Sequence, residues 1–471
     1  MISWYVSHCP STHQSGPLTA WQASAMNKAW LEDTGFIIVK TANKVDATDA
    51  SKQRVDCAMY RTNHAPSLSE ENSNWAAVDV PIELKPDDVK DDPFDDDAKD
   101  FEPSGGHRKE NLGQILSYCA LVCAKQHRTH LFTAIIFGNM ARLVRWDRAG
   151  VVVTRKFNYV ENPHMLGRFF WRIARLCDAQ RGYDPTATFL VTESEEYRAM
   201  TRRAEEPRKI GKHAYQEHAR RLFKASLANL AERWKLKVGD GPTARYFLTG
   251  NPHFIASGLA GRGTRGYVAL DCDDLDGPFV FLKDCWRVVA ERIKPEGETL
   301  EVLNDPATGK IEGIPTLVCH GDVEDQVTIS QDVWQEQNPG EKCRLKTHRH
   351  YRIVVKEVGL PMSYFRNGKE LVYLLAGCIK GGSSTCYSIH EFAHPSFSAH
   401  LGAYKKGIIH RDISAGNVLI FVEEFVDEHG KFKTVRNGML TDWELSKHVD
   451  DDDGPRQPDR TVSGTPLSSV T

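Results

Sequence analysis

The chain has 471 residues, 41% of them apolar and 26% charged, which is enough for two or three domains with sizeable cores. A formal net charge of −3 argues against bulk attraction to nucleic acid or to an anionic membrane. Its eleven cysteines are scattered without a C-x-x-C pair, and no leader or bilayer-length apolar run is evident, so the expected setting is intracellular, cytoplasmic or nuclear.

In chain order, residues 21–33 read as a helix and 35–40, 54–61 and 76–85 as strands. Residues 109–126 read as a second helix, followed by strands at 129–137 and 141–146. Residues 1–190 are therefore expected to form an α/β domain. Asp56 falls mid-strand, Glu83-Leu-Lys85 closes the next strand, and Gln114 and Tyr118 share one helix face. Two carboxylates offer hard oxygen ligands to Mg²⁺, and a neighbouring lysine orients water for attack on a metal-polarised phosphodiester. This order and residue set resemble the core of PD-(D/E)xK restriction-nuclease-like folds. The resemblance implies a nucleic-acid partner, and the alternative is a scaffold domain with solvated charges on its strand ends. Residues 86–100 hold eight aspartates around Pro86 and Pro93 and read as a solvated, mobile loop.

Residues 193–237 are rich in arginine and helical in pattern, so 191–241 reads as a charged linker. Residues 261–268, Gly-Arg-Gly-Thr-Arg-Gly-Tyr-Val, carry the full G-x-G-x-x-G-x-V pattern after Leu259, and a strand at 278–283 ends on Lys283. Strand, glycine turn, strand and lysine make a phosphate-covering hairpin, with Gly261, Gly263, Gly266, Val268 and Lys283 as nucleotide contacts. Glycines there let backbone N–H groups approach phosphates closely. Lys283 needs a carboxylate partner. Residues 288–303 read as a helix broken at Pro295, with Glu296 on the face of Leu300 and Leu303, and Glu298 as second choice. A strand at 351–355 leads to a hinge for adenine at 357–359. His320, His348 and His350 read as structural.

Residues 410–417, His-Arg-Asp-Ile-Ser-Ala-Gly-Asn, have the spacing of a phosphotransferase catalytic loop. Asp412 is the candidate base, and Asn417 and Asp442 are the candidate metal ligands. Arg411 is placed to tie this loop to an activation segment carrying Thr461, Ser463 and Thr465. From residue 242 onward the chain resembles the fungal-type protein kinase family, a divergent protein-kinase-like fold. The likeness rests on Gly261-Arg-Gly-Thr264, Phe281-Leu-Lys-Asp-Cys-Trp286, Lys369-Glu-Leu-Val372, the run Gly407 to Asn417, and Arg460-Thr-Val-Ser-Gly-Thr465. Residues 126–148 resemble the same family's amino-terminal region.

The resemblance implies an α+β, two-lobed kinase domain with ATP and Mg²⁺ as cofactors and a protein Ser/Thr substrate. Its N-lobe would span 242–358 and a truncated C-lobe 359–471, since 29 residues follow Asp442. Residues 382–398 interrupt an otherwise continuous helix and read as an insert or a lengthened loop. Two departures bear on activity. Ser414 stands where most Ser/Thr kinases carry a phosphate-neutralising lysine, and Glu444 stands where a glycine is usual. They keep a nucleotide-binding pseudokinase open as the alternative to an active kinase.

Overall fold

The computed structural model describes residues 20–41, 52–66, 74–98, 101–206, 217–228, 232–291, 293–379, 399–426, 429, 431–449 and 469–470. The 382–398 run and Thr461, Ser463 and Thr465 lie outside the described residues.

Helix α1 (Ala20–Met26) continues as a π-helical turn and leads into three antiparallel strands, β1 (Phe36–Lys40), β2 (Cys57–Arg61) and β3 (Val78–Lys85). Helix α2 (Gly106–Lys125) then returns the chain so that β4 (Leu131–Phe137) runs parallel to β3. A parallel return needs such a crossover. Strands β5 (Met140–Trp146), β6 (Val151–Val153) and β7 (Phe157–Asn158) extend this first sheet, and a two-residue strand at Ser469–Val470 pairs parallel with β6. Apolar side chains line both faces of its strands because both faces are covered, with buried charges such as Asp79, Glu83 and Arg142 among them. Met59, Val80 and Ile82 pack with Leu166 and Phe170 of α3 (Pro163–Ile173), whereas Ala58, Tyr60 and Ile135 pack with Ile115 and Val122 of α2.

The aspartate-rich loop corrects the expectation of a solvated segment. Asp91 and Asp92 are buried. The fully buried Arg142 of β5 donates Nε and Nη2 to the two oxygens of Asp92, each at 2.8 Å, and Nη1 to Asp96 at 2.7 Å. A guanidinium without water needs paired carboxylates, and this loop supplies them.

A second sheet is antiparallel throughout. In chain order its parts are β8 (Ala187–Phe189), helices α4 (Glu195–Glu205) and α5 (Glu217–Ser226), β9 (Trp234–Val238), β10 (Arg245–Thr249), β11 (Phe254–Ile255), β12 (Arg265–Asp271), β13 (Val280–Val288), helix α6 (Glu296–Asn304), β14 (Leu317–Val327), helix α7 (Ser330–Gln337) and β15 (His348–Val355). The spatial order is β14-β15-β13-β12-β10-β9-β8, with β11 against β12. Of the described residues in 191–241, expected as a charged linker, β9 belongs to this sheet and α4 and α5 pack on it. Met200, Ala204, Ala219 and Phe223 of α4 and α5 pack on Leu248, Val268 and Leu270. The charges that suggested a bridge lie on the opposite faces of two amphipathic helices. The expected helix from 288 is also shortened, because β13 stays paired with β15 through Val288 and α6 begins after Pro295.

Strand β16 (Gly359–Pro361) opens a third region with helices α8 (Gly368–Ile379) and α9 (Ala399–Lys405), strands β17 (Ile408–Ile409), β18 (Val418–Val426) and β19 (Phe432–Leu440), and the short β20 (Lys447–His448). β18 and β19 form a long hairpin beside β16, and β17 pairs with β20. One core joins Leu300 of α6, Ile353 of β15, Leu374 of α8, Ile420 of β18 and Trp443. Among the described residues, no helix is long and apolar enough to cross a membrane.

The first unit is seated on the second sheet. Leu259 belongs to the core of the first unit. Asp147 Oδ2 accepts the amides of Ile329 (2.9 Å) and Ser330 (3.1 Å) at the start of α7, where the helix dipole favours an anion. Arg265 donates to the Gln126 carbonyl at 3.0 Å, and the buried His127 ring lies edge-on to Trp234.

Candidate active sites

Lys283 lies on β13, opposite Gly266 of β12 and Ile353 of β15. Glu296 is the first residue of α6, and Leu300 and Leu303, on its face of the helix, are fully buried. This register turns Glu296 toward β13, while Glu298 is exposed. Lys283 Nζ lies 2.8 Å from Glu296 Oε2, 2.7 Å from Asp442 Oδ1 and 3.5 Å from Glu444 Oε2. Glu296 uses its other oxygen to accept the Trp443 amide at 3.1 Å.

Two loops are cross-tied below this cluster. His410 is buried between them. Its Nε2 donates to the Thr441 carbonyl at 2.9 Å, and its Nδ1 accepts the Asp412 amide at 3.2 Å. Burial holds its pKa below the usual range, in keeping with the neutral tautomer these partners require. The Asn417 side chain donates to the Asp412 carbonyl at 2.9 Å, and Thr441 donates its amide and hydroxyl to the Asn417 carbonyl. Arg411 and Asp442 flank the arrangement with left-handed backbones, φ 70° and 62°, a conformation side chains adopt at a cost when their surroundings impose it. Asp412 is half-buried, while Arg411 and Ser414 are exposed.

The electrostatics are set by crowding. Carboxylate oxygens of Glu296, Asp442 and Glu444 all lie within 4.8 Å of one another. This is a hard-oxygen donor set that fits a divalent cation such as Mg²⁺. Lys283 answers part of that charge. Burial works against its ammonium, but Asp442, Glu296 and Glu444 outweigh it and hold the pKa well above the usual value. For Asp442, burial is outweighed by Lys283 and Arg262, which bring it down to about 2. Burial pushes Glu296 upward even beside Lys283.

The glycine-rich loop joins β11 to β12 and packs against the first unit. The strand before it is β11, and Leu259 sits in the core of the first unit. Gly261 and Gly263 adopt φ of 92° and 51°. The Gly261 amide donates to the Arg148 carbonyl at 2.8 Å, and Arg148 Nη1 donates to the Leu259 carbonyl at 2.8 Å. A Cβ on Gly263 would lie 2.3 Å from the Arg148 guanidinium carbon, so the space over that glycine is filled by the first unit. Gly266 and Val268 are within β12, where a Cβ on Gly266 would meet Phe281. The residue the pattern hides is Arg262, between the two glycines. Its Nη1 lies 2.6 Å from Glu444 Oε2 and 3.8 Å from Asp442 Oδ2. An arginine in the loop and an acid in place of the usual glycine were the available signals, but their pairing spans 182 residues.

In the first unit, Asp56, Glu83, Lys85, Gln114 and Tyr118 converge. Cys57 faces the α3 side of the sheet, so Asp56 shares the α2 side with Glu83 and Lys85. Asp56 Oδ2 accepts the Leu84 amide at 2.9 Å. Lys85 Nζ lies 2.8 Å from Glu83 Oε1 and donates to Gln114 Oε1 at 2.9 Å, and Gln114 in turn donates to the Tyr118 hydroxyl. Glu83 is 3% exposed, and its Oε2 has no hydrogen-bond donor among the described residues. Burial first, and then the Asp56 charge, push its pKa up to about 8. A groove of about 490 Å³ opens beside Gln114 and Tyr118, with Lys52, Arg54 and Ser117 in its lining. These donors fit a hard cation.

A comparison with curated proteins gives no match. The family model described as fungal protein kinase matches residues 54–467, a span that takes in both the Asp56–Glu83–Lys85 set and the Lys283–Glu296–Asp442 cluster. The match covers most of the chain, which therefore belongs to the fungal protein kinase family.

Proposed function

We propose that the chain transfers the γ-phosphoryl group of ATP, with Mg²⁺, to serine or threonine hydroxyls of a protein substrate. The observation that carries this reading is the single cluster formed by Lys283, Glu296 and Asp442 from β13, α6 and the loop after β19. When bound, Mg²⁺-ATP supplies the phosphoryl group and the positive charge that offsets its transfer. Lys283, held by Glu296, would bind the α- and β-phosphates. Asp442, with Glu444 beside it and Asn417 in the adjoining loop, would hold the metal. Asp412 would accept the proton of the substrate hydroxyl, a general-base contribution of roughly 10²–10⁴ in rate. Arg411, left-handed and exposed, would tie the catalytic loop to an activation segment. Asp412→Asn is expected to abolish radiolabel transfer from ATP to a generic protein substrate while leaving ATP binding intact. Equal labelling by variant and wild type removes Asp412 from the mechanism. Binding without transfer in the wild type replaces the kinase with a nucleotide-binding pseudokinase, the outcome that Ser414 and Glu444 favour.

The first unit supports a second reading, a metal-dependent phosphodiesterase of the restriction-nuclease-like kind. The convergence of Asp56, Glu83 and Lys85 beside a groove bordered by Lys52 and Arg54 favours it. Asp56 and Glu83 would hold the cation, Lys85 would orient the attacking water, and the groove would follow a nucleic-acid backbone. The expected result is Mg²⁺-dependent cleavage of DNA by the full chain, lost on Lys85→Ala. No cleavage by the wild type leaves the unit a scaffold.

A further inference from the structure

Val268 and Phe281 are paired across β12 and β13, and Phe281 and Lys283 are two residues apart, so all three project from one face of the second sheet. On the kinase reading this is the face that receives the nucleotide. Helix α5 covers part of it. Ala219 and Phe223, both fully buried, share a cluster with Val268 and Val358, which are 2% and 1% exposed. His218 Nε2 lies 2.5 Å from the Val358 carbonyl, in the segment after β15 read as the hinge. That is the kind of hydrogen bond an adenine amino group would make to such a carbonyl. The same helix reaches the third region, where the Glu217 amide donates to Glu424 of β18 at 3.3 Å.

At the other end of the same face, Arg262 lies against Glu444 and Asp442, the carboxylates assigned to the metal. Three close carboxylates repel one another unless cations intervene. Lys283 alone is one charge against three. Arg262 supplies the second, and the first unit holds its loop in place through Arg148 and Leu259. An occupant of the hinge carbonyl and an occupant of the metal carboxylates therefore come from this chain itself.

We propose that His218 with helix α5 at the hinge, and Arg262 at the carboxylates, form an autoinhibitory contact that Mg²⁺-ATP must displace before it binds. The proposal rests on the kinase reading. If only a fraction of molecules has both groups withdrawn, the apparent dissociation constant is the intrinsic one divided by that fraction. Removing either group raises the fraction.

The test is calorimetry of Mg²⁺-ATP on the full chain and on His218→Ala and Arg262→Ala, with hydrogen exchange on the wild type. Each variant is expected to bind about tenfold or more tightly than the wild type. Amides of 217–226 are expected to exchange faster at saturating Mg²⁺-ATP. Equal or weaker binding by both variants overturns the contact. So does unchanged protection of 217–226 with ATP bound, which needs no variant and leaves the kinase reading standing. Absence of ATP binding in all three chains overturns both.

Discussion

Asp442 lies beside the cations Lys283 and Arg262, whereas Glu83 is buried next to Asp56, and the two carboxylates respond to pH in opposite ways. Lys283 helps hold Asp442 at about 2, below its ordinary 3.8. That stability is present above pH 3.8 and is lost only as pH falls through about 2. Glu83 is raised from 4.5 to about 8 by burial and by Asp56. Its contribution is full below about pH 4.5 and is lost as pH rises through about 8, since the folded chain must then carry a buried carboxylate. Glu83→Gln cannot ionise. Thermal unfolding of the full chain followed from pH 4.5 to 9 is expected to show a fall in wild-type stability that this variant lacks. A parallel decline in both would assign the pH dependence to other groups. A cation bound at Asp56 and Glu83 would favour the ionised form, so Mg²⁺ is also expected to protect the wild type most at the alkaline end.

At the scale of elements, β15 ties strand to strand through buried charge. Arg352 is fully buried, with Nε 3.0 Å from Asp284 Oδ1 and Nη2 against Asp184, while its Nη1 donates to Thr186 and to the Lys237 carbonyl. His350 stacks on Trp286 and lies 2.5 Å from the same Asp284, which gives the structural role expected of it a partner. One guanidinium thus joins β13, β15, β9 and the segment before β8. Arg352→Ala leaves two buried carboxylates without it. A loss of about 3–5 kcal/mol in urea unfolding is expected. A loss below about 1 kcal/mol would mean that water reaches the pair and screens it.

For the whole molecule, the question is whether the first unit and the second sheet unfold together. Leu259 reaches from the glycine-rich loop into the first core, Asp147 receives the start of α7, and Arg265 reaches back to Gln126. Leu259→Ala removes the apolar anchor of that loop. It is expected to cost about 2–5 kcal/mol, as core leucine truncations do, and to split one unfolding transition into two when followed by hydrogen exchange in each unit. A single transition at unchanged midpoint would show that the polar contacts alone hold the units together.

Much of the local architecture was legible in the sequence, and the reason is periodicity. The first seven strand and helix segments fall within a few residues of their expected places, because two-residue and 3.6-residue spacing of apolar side chains is a local property. The Glu296 register was legible for the same reason, as Leu300 and Leu303 mark the buried face of α6. Family membership was legible in short runs such as Gly407 to Asn417. Other features depend on what a segment meets after folding. The Arg-rich stretch 193–237 looked like a linker because its charges say nothing of the sheet its apolar faces cover. The aspartates at 91, 92 and 96 looked solvated because their partners, Arg142 and His107, lie up to 50 residues away or more than a turn beyond the loop. The glycine pattern named the residues able to turn, but not that Arg148 would fill the space over Gly263 or that Arg262 would cross to Glu444. Helix α5 on the face of Lys283 was equally hidden. Periodicity and motif spacing are written along the chain, whereas a buried charge takes whichever counter-charge the tertiary structure delivers, and no local rule records that choice.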